Sequence, residues 1–184
     1  MGGAQTDTPA ADARLIGSNR QSLRAMLVAA PEGALLVDDH LTGPVEEAAR
    51  SIVTAARHST EAPALLFGGE TTVIVRGKGQ GGRNQELALR VALEAKRQRL
   101  PGPWVFLSGG TDGRDGPTAA AGGCVDDQTL ARLFEAGGDV LALLDESDSF
   151  RALSLSGEII PEWATGTNVA DVQVLLRPDV LASK

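Results

Sequence analysis

The chain has 184 residues, a formal net charge of −7 and 42% hydrophobic residues, which suffices to bury a core as one domain or as one domain plus part of another. Acidity of this size argues against nucleic acid and anionic membranes as partners, because either needs a basic face, and leaves room for a basic pocket on an acidic body; no run stays apolar for the roughly 18 residues of a membrane span. The single cysteine, Cys124, excludes an internal disulfide framework and a cysteine-rich zinc site, and it fits a reducing compartment, so a cytoplasmic protein is expected.

In chain order, residues 1–13 are small and polar and read as a loose tail. Arg14-Leu15-Ile16-Gly17 suggests a strand end, after which Ser18 or Asn19 caps a helix carrying Leu23, Met26 and Leu27. Ala34 to Val37 reads as a buried strand. Pro44 opens a helix in which Glu46 and Glu47 favour the N-terminal dipole and Ile52 and Val53 face inward. A turn from Ser59 to Pro63 closes this small α/β unit, residues 14–62.

From residue 63 the alternation continues. Ala64 to Phe67 and Thr71 to Arg76 are strand-like on either side of Gly68-Gly69-Glu70, and Arg83 to Arg99 is a helix with Leu87, Val91 and Ala95 on one face. Trp104 to Leu107 is continuously apolar, as in a strand covered on both faces. Helices follow over Asp126 to Ala136 and Val140 to Leu144, and a last strand over Val172 to Leu176.

Two glycine-flanked polar clusters stand at the ends of strands: Gly81-Gly82-Arg83-Asn84-Gln85-Glu86, and Ser108 through Thr118 with its two Asp-Gly pairs, Asp112-Gly113 and Asp115-Gly116. Glycine lets backbone N–H groups approach a ligand, and a helix start adds a positive dipole end, so the pattern suits an anionic substrate. The literal Gly-x-Gly-x-x-Gly at Gly77, Gly79 and Gly82 lacks the acidic residue that a dinucleotide site has about 20 residues on; the helix continues through Lys96, Arg97 and Arg99. No Walker A loop is present. His40 and His58 have no second ligand at metal spacing, and Cys124 has no histidine near it in sequence.

Four ordered motifs together resemble the MOFRL domain: Gly68-Gly69-Glu70-Thr71-Thr72-Val73, the Arg83 cluster running into Leu87-Ala88-Leu89, the Thr111-Asp112 cluster through Gly122, and Thr165-Gly166-Thr167-Asn168-Val169. That domain is the C-terminal part of glycerate 2-kinases, formerly labelled hydroxypyruvate reductases. The resemblance implies an α/β fold, a mixed-sheet MOFRL domain over residues 63–180 with helices packed on it, preceded by a remnant of a Rossmann-like domain at 14–62. It also implies ATP and Mg²⁺ as cofactors, D-glycerate phosphorylated at its 2-hydroxyl, and a cleft completed by an N-terminal kinase domain in cis or in trans. The alternative is a free-standing module that binds an anionic metabolite or a protein partner without turnover.

Under that resemblance Arg83 contacts a phosphate or the glycerate carboxylate, or else forms a surface ion pair. Asp112 and Asp115 converge on Mg²⁺, or one accepts the substrate proton, or both form Asx turns. Lys78, Thr111, Thr118, Thr165, Thr167 and Asn168 are candidate substrate or phosphate contacts; Asn84 caps the helix or touches substrate, and Glu86 orients Arg83 or favours the helix start. The chain departs from the family pattern at Ser147-Asp148-Ser149-Phe150 and at Glu162-Trp163-Ala164, where added bulk and charge alter the loop before Thr165.

Overall fold

The computed structural model describes residues 14–182, and the tail expected over residues 1–13 lies outside them. The elements are α1 (Asn19–Ala29), β1 (Leu35–Pro44), α2 (Val45–His58), β2 (Ala64–Thr72), α3 (Arg83–Gln98), β3 (Val105–Gly110), β4 (Ala120–Asp126), α4 (Thr129–Glu135), α5 (Val140–Asp145), α6 (Ser149–Ser156), β5 (Ile159–Pro161), β6 (Asp171–Leu176) and α7 (Pro178–Ala182). Six strands form one mixed sheet in the order β1-β2-β6-β3-β4-β5. β1 runs parallel to β2, and the other neighbours are antiparallel. Because β6 lies antiparallel between β2 and β3, the C-terminal ends of β2 and β3 emerge beside the N-terminal end of β6. Gly69, Asp171 and Gly110 therefore stand in one row across the sheet.

Side-chain alternation divides the two faces. Leu65, Phe67, Phe106, Val125 and Leu175 enter one buried cluster with Val45, Ile52 and Val53 of α2 and Leu87 and Val91 of α3. The opposite face is covered at one end by α1, whose Leu23 is fully buried. Ser18 starts that helix by accepting the N–H of Gln21 at 3.2 Å, while the Asn19 amide donates to the carbonyls of Val169 and Asp171 at 2.9 and 2.7 Å. Further across, Val105, Leu107, Val172, Val174 and Leu176 are only half-buried. β3, expected to be covered on both faces, is thus packed fully on one face alone, that of Phe106 and Ser108, which turns toward α3.

Residues 14–62 and 63–180 share this sheet and this core: β1 pairs with β2, and the buried face of α2 joins that of α3. No gap in packing marks residue 62. Arg14 to Gly17, expected as a strand end, is exposed and outside any strand. β1 extends to Pro44, well past Val37.

The glycine pair at 68–69 does not divide two strands. β2 passes through it and ends at Thr72, and residues 73–76 are not strand. Gly69 has φ +147°, and a Cβ there would come within 2.2 Å of the Leu41 carbonyl oxygen and 2.7 Å of its nitrogen. Close passage of the irregular stretch of β1, where the register shifts between Asp38 and Leu41, is what demands glycine. Similarly, Gly123 of β4 lies under α3 and α6, where a Cβ would meet Leu153 Cδ1 at 2.6 Å and the Ala88 Cβ at 3.1 Å.

Since the atoms facing Gly69 are backbone and cannot rotate away, Gly69→Ala is expected to lower stability by about 2 kcal/mol or more. The urea midpoint measures this, and a value equal to wild type would show that the crossing of β1 and β2 is looser than described.

Candidate functional site

Helix α3 begins at Gly82, a cap residue without a side chain, so the orphan N–H groups of its first turn need a partner from elsewhere. Asp115, on the loop between β3 and β4, supplies it. Its Oδ1 accepts from the backbone N–H of Asn84 at 3.0 Å, and its Oδ2 from that of Gln85 at 2.9 Å. The side-chain amides of Asn84 and Gln85 add bonds of 3.3 and 2.8 Å. A Cβ on Gly82 would lie 2.2 Å from the Asp115 carboxyl carbon, which is why this position is glycine. Asp115 was expected beside Asp112 as a magnesium ligand. The structure instead buries it to 2% exposure with both oxygens accepting N–H groups, so it offers a metal no open oxygen.

Neighbouring candidates are built into the same junction. Asn84 is buried and accepts from Ser108 Oγ at 2.6 Å. Thr118 donates to the Asp115 carbonyl at 2.8 Å and accepts from Gln85 at 2.9 Å. Glu86 pairs with Arg90 at 2.8 Å, not with Arg83, and Arg90 also reaches Glu46 at 3.0 Å. Burial pushes the Glu86 carboxyl above its ordinary range, and the pull of Arg90 offsets it only in part.

Arg83 lies at the first residue of α3 and reaches the row of strand ends. Its Nε donates to Asp171 Oδ2 at 2.5 Å and its Nη2 to Asp171 Oδ1 at 2.9 Å. Nη2 also donates to Glu70 Oε1 at 3.1 Å. Asp171 is 1% exposed, whereas the Glu70 side chain is 58% exposed. The pair raises the Arg83 pKa, chiefly through the Asp171 hydrogen bond. At Asp171 burial is the larger effect and lifts its carboxyl despite Arg83. Neither Asp171 nor Glu70 was singled out as a site residue by motif reading. A signal was present: Asp171 and Gln173 alternate with apolar residues on the buried face of β6, an unusual place for polar groups.

Asp112 lies on the loop that follows β3. A Cβ on Gly110 would meet Asp112 Oδ1 at 2.9 Å and Asp171 Oδ1 at 3.6 Å, so both carboxylates converge there. Asp112 is half-buried, and its Oδ1 accepts the N–H of Arg114 at 3.0 Å in an Asx turn. Thr111 is structural: its hydroxyl donates to the Ala170 carbonyl at 2.7 Å and accepts the Val169 N–H at 2.8 Å. Thr165 donates to the Thr111 carbonyl at 2.6 Å. Thr167 and Asn168 are exposed on the same loop. Trp163 is exposed and its backbone rests on Gly113, whose φ of +78° and missing Cβ leave room for the Trp163 carbonyl.

Lys78 is exposed on the loop before α3. The glycines of that loop are filled by protein: a Cβ on Gly77 would meet Glu146 Oε2 at 2.4 Å, one on Gly79 the Asp148 Cβ at 2.4 Å, and one on Gly81 Ser149 Oγ at 2.1 Å. Acidic side chains where a pyrophosphate would lie oppose a dinucleotide cradle. Among the described residues no group of three or more His, Cys, Asp or Glu is arranged to hold a metal, and no helix is long and apolar enough to cross a membrane. A cavity of about 1060 Å³ between the C-terminal half of α3 and α4–α5 shares no residue with the Arg83 group. We place the site at the strand ends, where open α/β sheets present their loops to ligands.

The fold is a six-stranded mixed α/β sheet with Arg83, Asp171 and Glu70 paired at its strand ends. Residues 63–171 match the model of the MOFRL family, and the chain belongs to that family. It is 50% identical over 109 residues to the D-glycerate 2-kinase of Thermotoga maritima, covering 59% of this chain and 25% of that protein. It is 48% identical over 119 residues to the human glycerate kinase, covering 62% and 23%. The crystal structure of the Thermotoga maritima glycerate kinase superposes with a TM-score of 0.76 at 36% identity, over 86% of this chain and 39% of that one. A Pyrococcus horikoshii protein superposes with 0.77 at 34% identity, over 93% and 41%. The chain thus spans about a quarter of the length of these curated relatives.

Removing the Asp115 carboxylate strands two helix N–H groups and takes one acceptor from each of two side-chain amides, so Asp115→Ala is expected to cost about 2–4 kcal/mol. Urea denaturation measures it, and amide exchange should rise first at residues 83–86.

Glu86 gives a pH signature. Its folded pKa lies above the ordinary value of a glutamate in the unfolded chain, so the folded state holds this proton more tightly. Its contribution to stability is complete below that value and is lost as pH rises through the folded pKa. Glu86→Gln should therefore flatten the fall in urea midpoint from pH 4 upward. A slope identical to wild type would mean that burial does not perturb this carboxyl.

Proposed function

We propose that this chain is the C-terminal part of a glycerate 2-kinase, contributing one wall of a cleft in which ATP, with Mg²⁺, phosphorylates D-glycerate at the 2-hydroxyl. The observation that carries this reading is Arg83, at a helix start, held by Asp171 at the strand ends, with Asp112 on the loop that leaves the neighbouring strand. Similarity to kinases named for glycerate supplies the substrate and the phosphate donor.

Phosphoryl transfer asks a protein for positioning and charge neutralisation more than for covalent chemistry. In this reading Arg83 binds an oxyanion of the phosphate or of the glycerate carboxylate. Asp112 fits magnesium: one of its oxygens serves the Asx turn, the other accepts no hydrogen bond from a described residue, and Mg²⁺ needs only one or two carboxylates besides phosphate oxygens and water. Bound there, the ion would neutralise phosphate charge. Asp115 supports rather than ligates, by fixing the start of α3. Thr111 and Thr165 hold the two loops together, and Lys78, Thr167 and Asn168 are exposed donors on the rim.

The solved relatives are more than twice as long as the matched region. We therefore propose that the opposite wall comes from an N-terminal kinase domain, in cis or in trans. ADP release from ATP with D-glycerate and Mg²⁺ tests this: no turnover is expected from residues 1–184 alone, with activity restored on mixing with the N-terminal part of a relative. Arg83→Ala should then lower the restored kcat/KM about 100-fold or more. Full activity in that variant would remove Arg83 from the site, and failure of every mixture to turn over would favour a binding module.

A further inference from the structure

A guanidinium carries five N–H donors arranged as two forks, one formed by Nε with Nη2 and one by Nη1 with Nη2. At Arg83 these forks are used unequally. Asp171 fills the side-on fork with two bonds, at 2.5 and 2.9 Å. Its backbone is paired on both sides, to β2 and to β3, so the arginine is fixed to the middle of the sheet. The end-on fork is half used: Glu70 takes the remaining Nη2 hydrogen with one oxygen at 3.1 Å, and Nη1 donates to no described residue.

The two carboxylates differ in a way that separates their roles. Asp171 is 1% exposed and held on a buried strand, while the Glu70 side chain is 58% exposed and makes no other hydrogen bond to a described residue. Exposed single-bond ion pairs contribute little, because side-chain entropy and solvent screening offset the attraction. A ligand bringing two oxygens to the free fork would make both bonds where Glu70 makes one. Glu70 also adds a second negative charge to an arginine already neutralised by Asp171, which raises the cost of bringing in an anion.

We propose that the Nη1/Nη2 edge of Arg83 is an oxyanion subsite, that Glu70 is a removable placeholder on half of it, and that Asp171 is the positioning residue aiming it. The proposal deepens the kinase reading, on which it rests for the identity of the anion. The shared chemistry is a planar carboxylate or a tetrahedral phosphate, and D-glycerate and inorganic phosphate represent the two sources.

The experiment is an NMR titration of the ¹⁵N-labelled 184-residue chain with each probe, following the Arg83 Nε–Hε signal. Glu70→Gln is expected to tighten binding of at least one probe about two- to fivefold, the scale of an exposed ion pair. Asp171→Asn should weaken it more than tenfold and turn the Nε–Hε proton from slowly to rapidly exchanging, which a loss of fold stability alone would not confine to that signal. Glu70 is exposed, so Glu70→Gln tests the placeholder even if Asp171→Asn fails to fold. Unchanged or weaker binding in Glu70→Gln, or no response of the Arg83 signal to either probe, would overturn the proposal. Tightened binding of phosphate with no response to D-glycerate would keep the subsite and refute glycerate as its ligand. Restored kinase turnover with no effect of Glu70→Gln on either affinity would keep the kinase and refute the subsite.

Discussion

Most of the geometry at the strand ends depends on one buried carboxylate closing a helix from outside. Asp115 stands about thirty residues beyond the start of α3 in sequence, yet it satisfies the N–H groups that Gly82 has no side chain to serve. Four N–H donors on one carboxylate make a charge-assisted network in a poorly solvated setting, where leaving any member unpaired is costly. The helix start is thereby tied to the loop that follows β3. Arg83 comes next to Gly82, so its reach toward Asp171 is fixed by the same tie.

The glycines acquire a different meaning from the one their sequence context suggests. Glycine-rich turns beside a helix start are associated with bound phosphates, because the backbone can come close to the anion. Here the space at Gly82 is taken by Asp115, that at Gly113 by the Trp163 carbonyl, and that at Gly77, Gly79 and Gly81 by the segment from Glu146 to Ser149. Internal groups fill the room beside these glycines. The exposed charge at this end of the sheet comes instead from Arg83 and Glu70, beside the row Gly69, Asp171 and Gly110.

How much of this was legible in the sequence follows from the range of the forces involved. Helices α1, α2 and α3 announce themselves through local signals: Ser18 as a cap, Glu46 and Glu47 in a first turn, and apolar spacing from Leu87 to Ala95. β6 was legible as an alternating apolar run. β4 was not, because Ala-Ala-Gly-Gly-Cys lacks the branched residues that mark strands; its small residues answer to α3 and α6 pressing on it. α6 was missed too, since its start is held to the glycine loop by a backbone bond from Phe150 to Gln80 rather than by a capping side chain. At the site, the neighbourhood of Arg83 and the 111–115 loop was legible from motifs, while the partners of each charge were not. Asp171 lies 88 residues from Arg83 and Asp115 lies 31 from Asn84, and such pairings are set by tertiary packing.

The two outer strands have a consequence for assembly. β1 carries Asp38, Asp39 and His40 in mid-strand and shifts register twice against β2, while β5 has three residues and ends in Pro161. Charge, irregular pairing, brevity and proline are the devices by which sheet borders refuse additional strands. Both borders of the sheet therefore resist an added strand, leaving the hydrogen-bonded ribbon at six members.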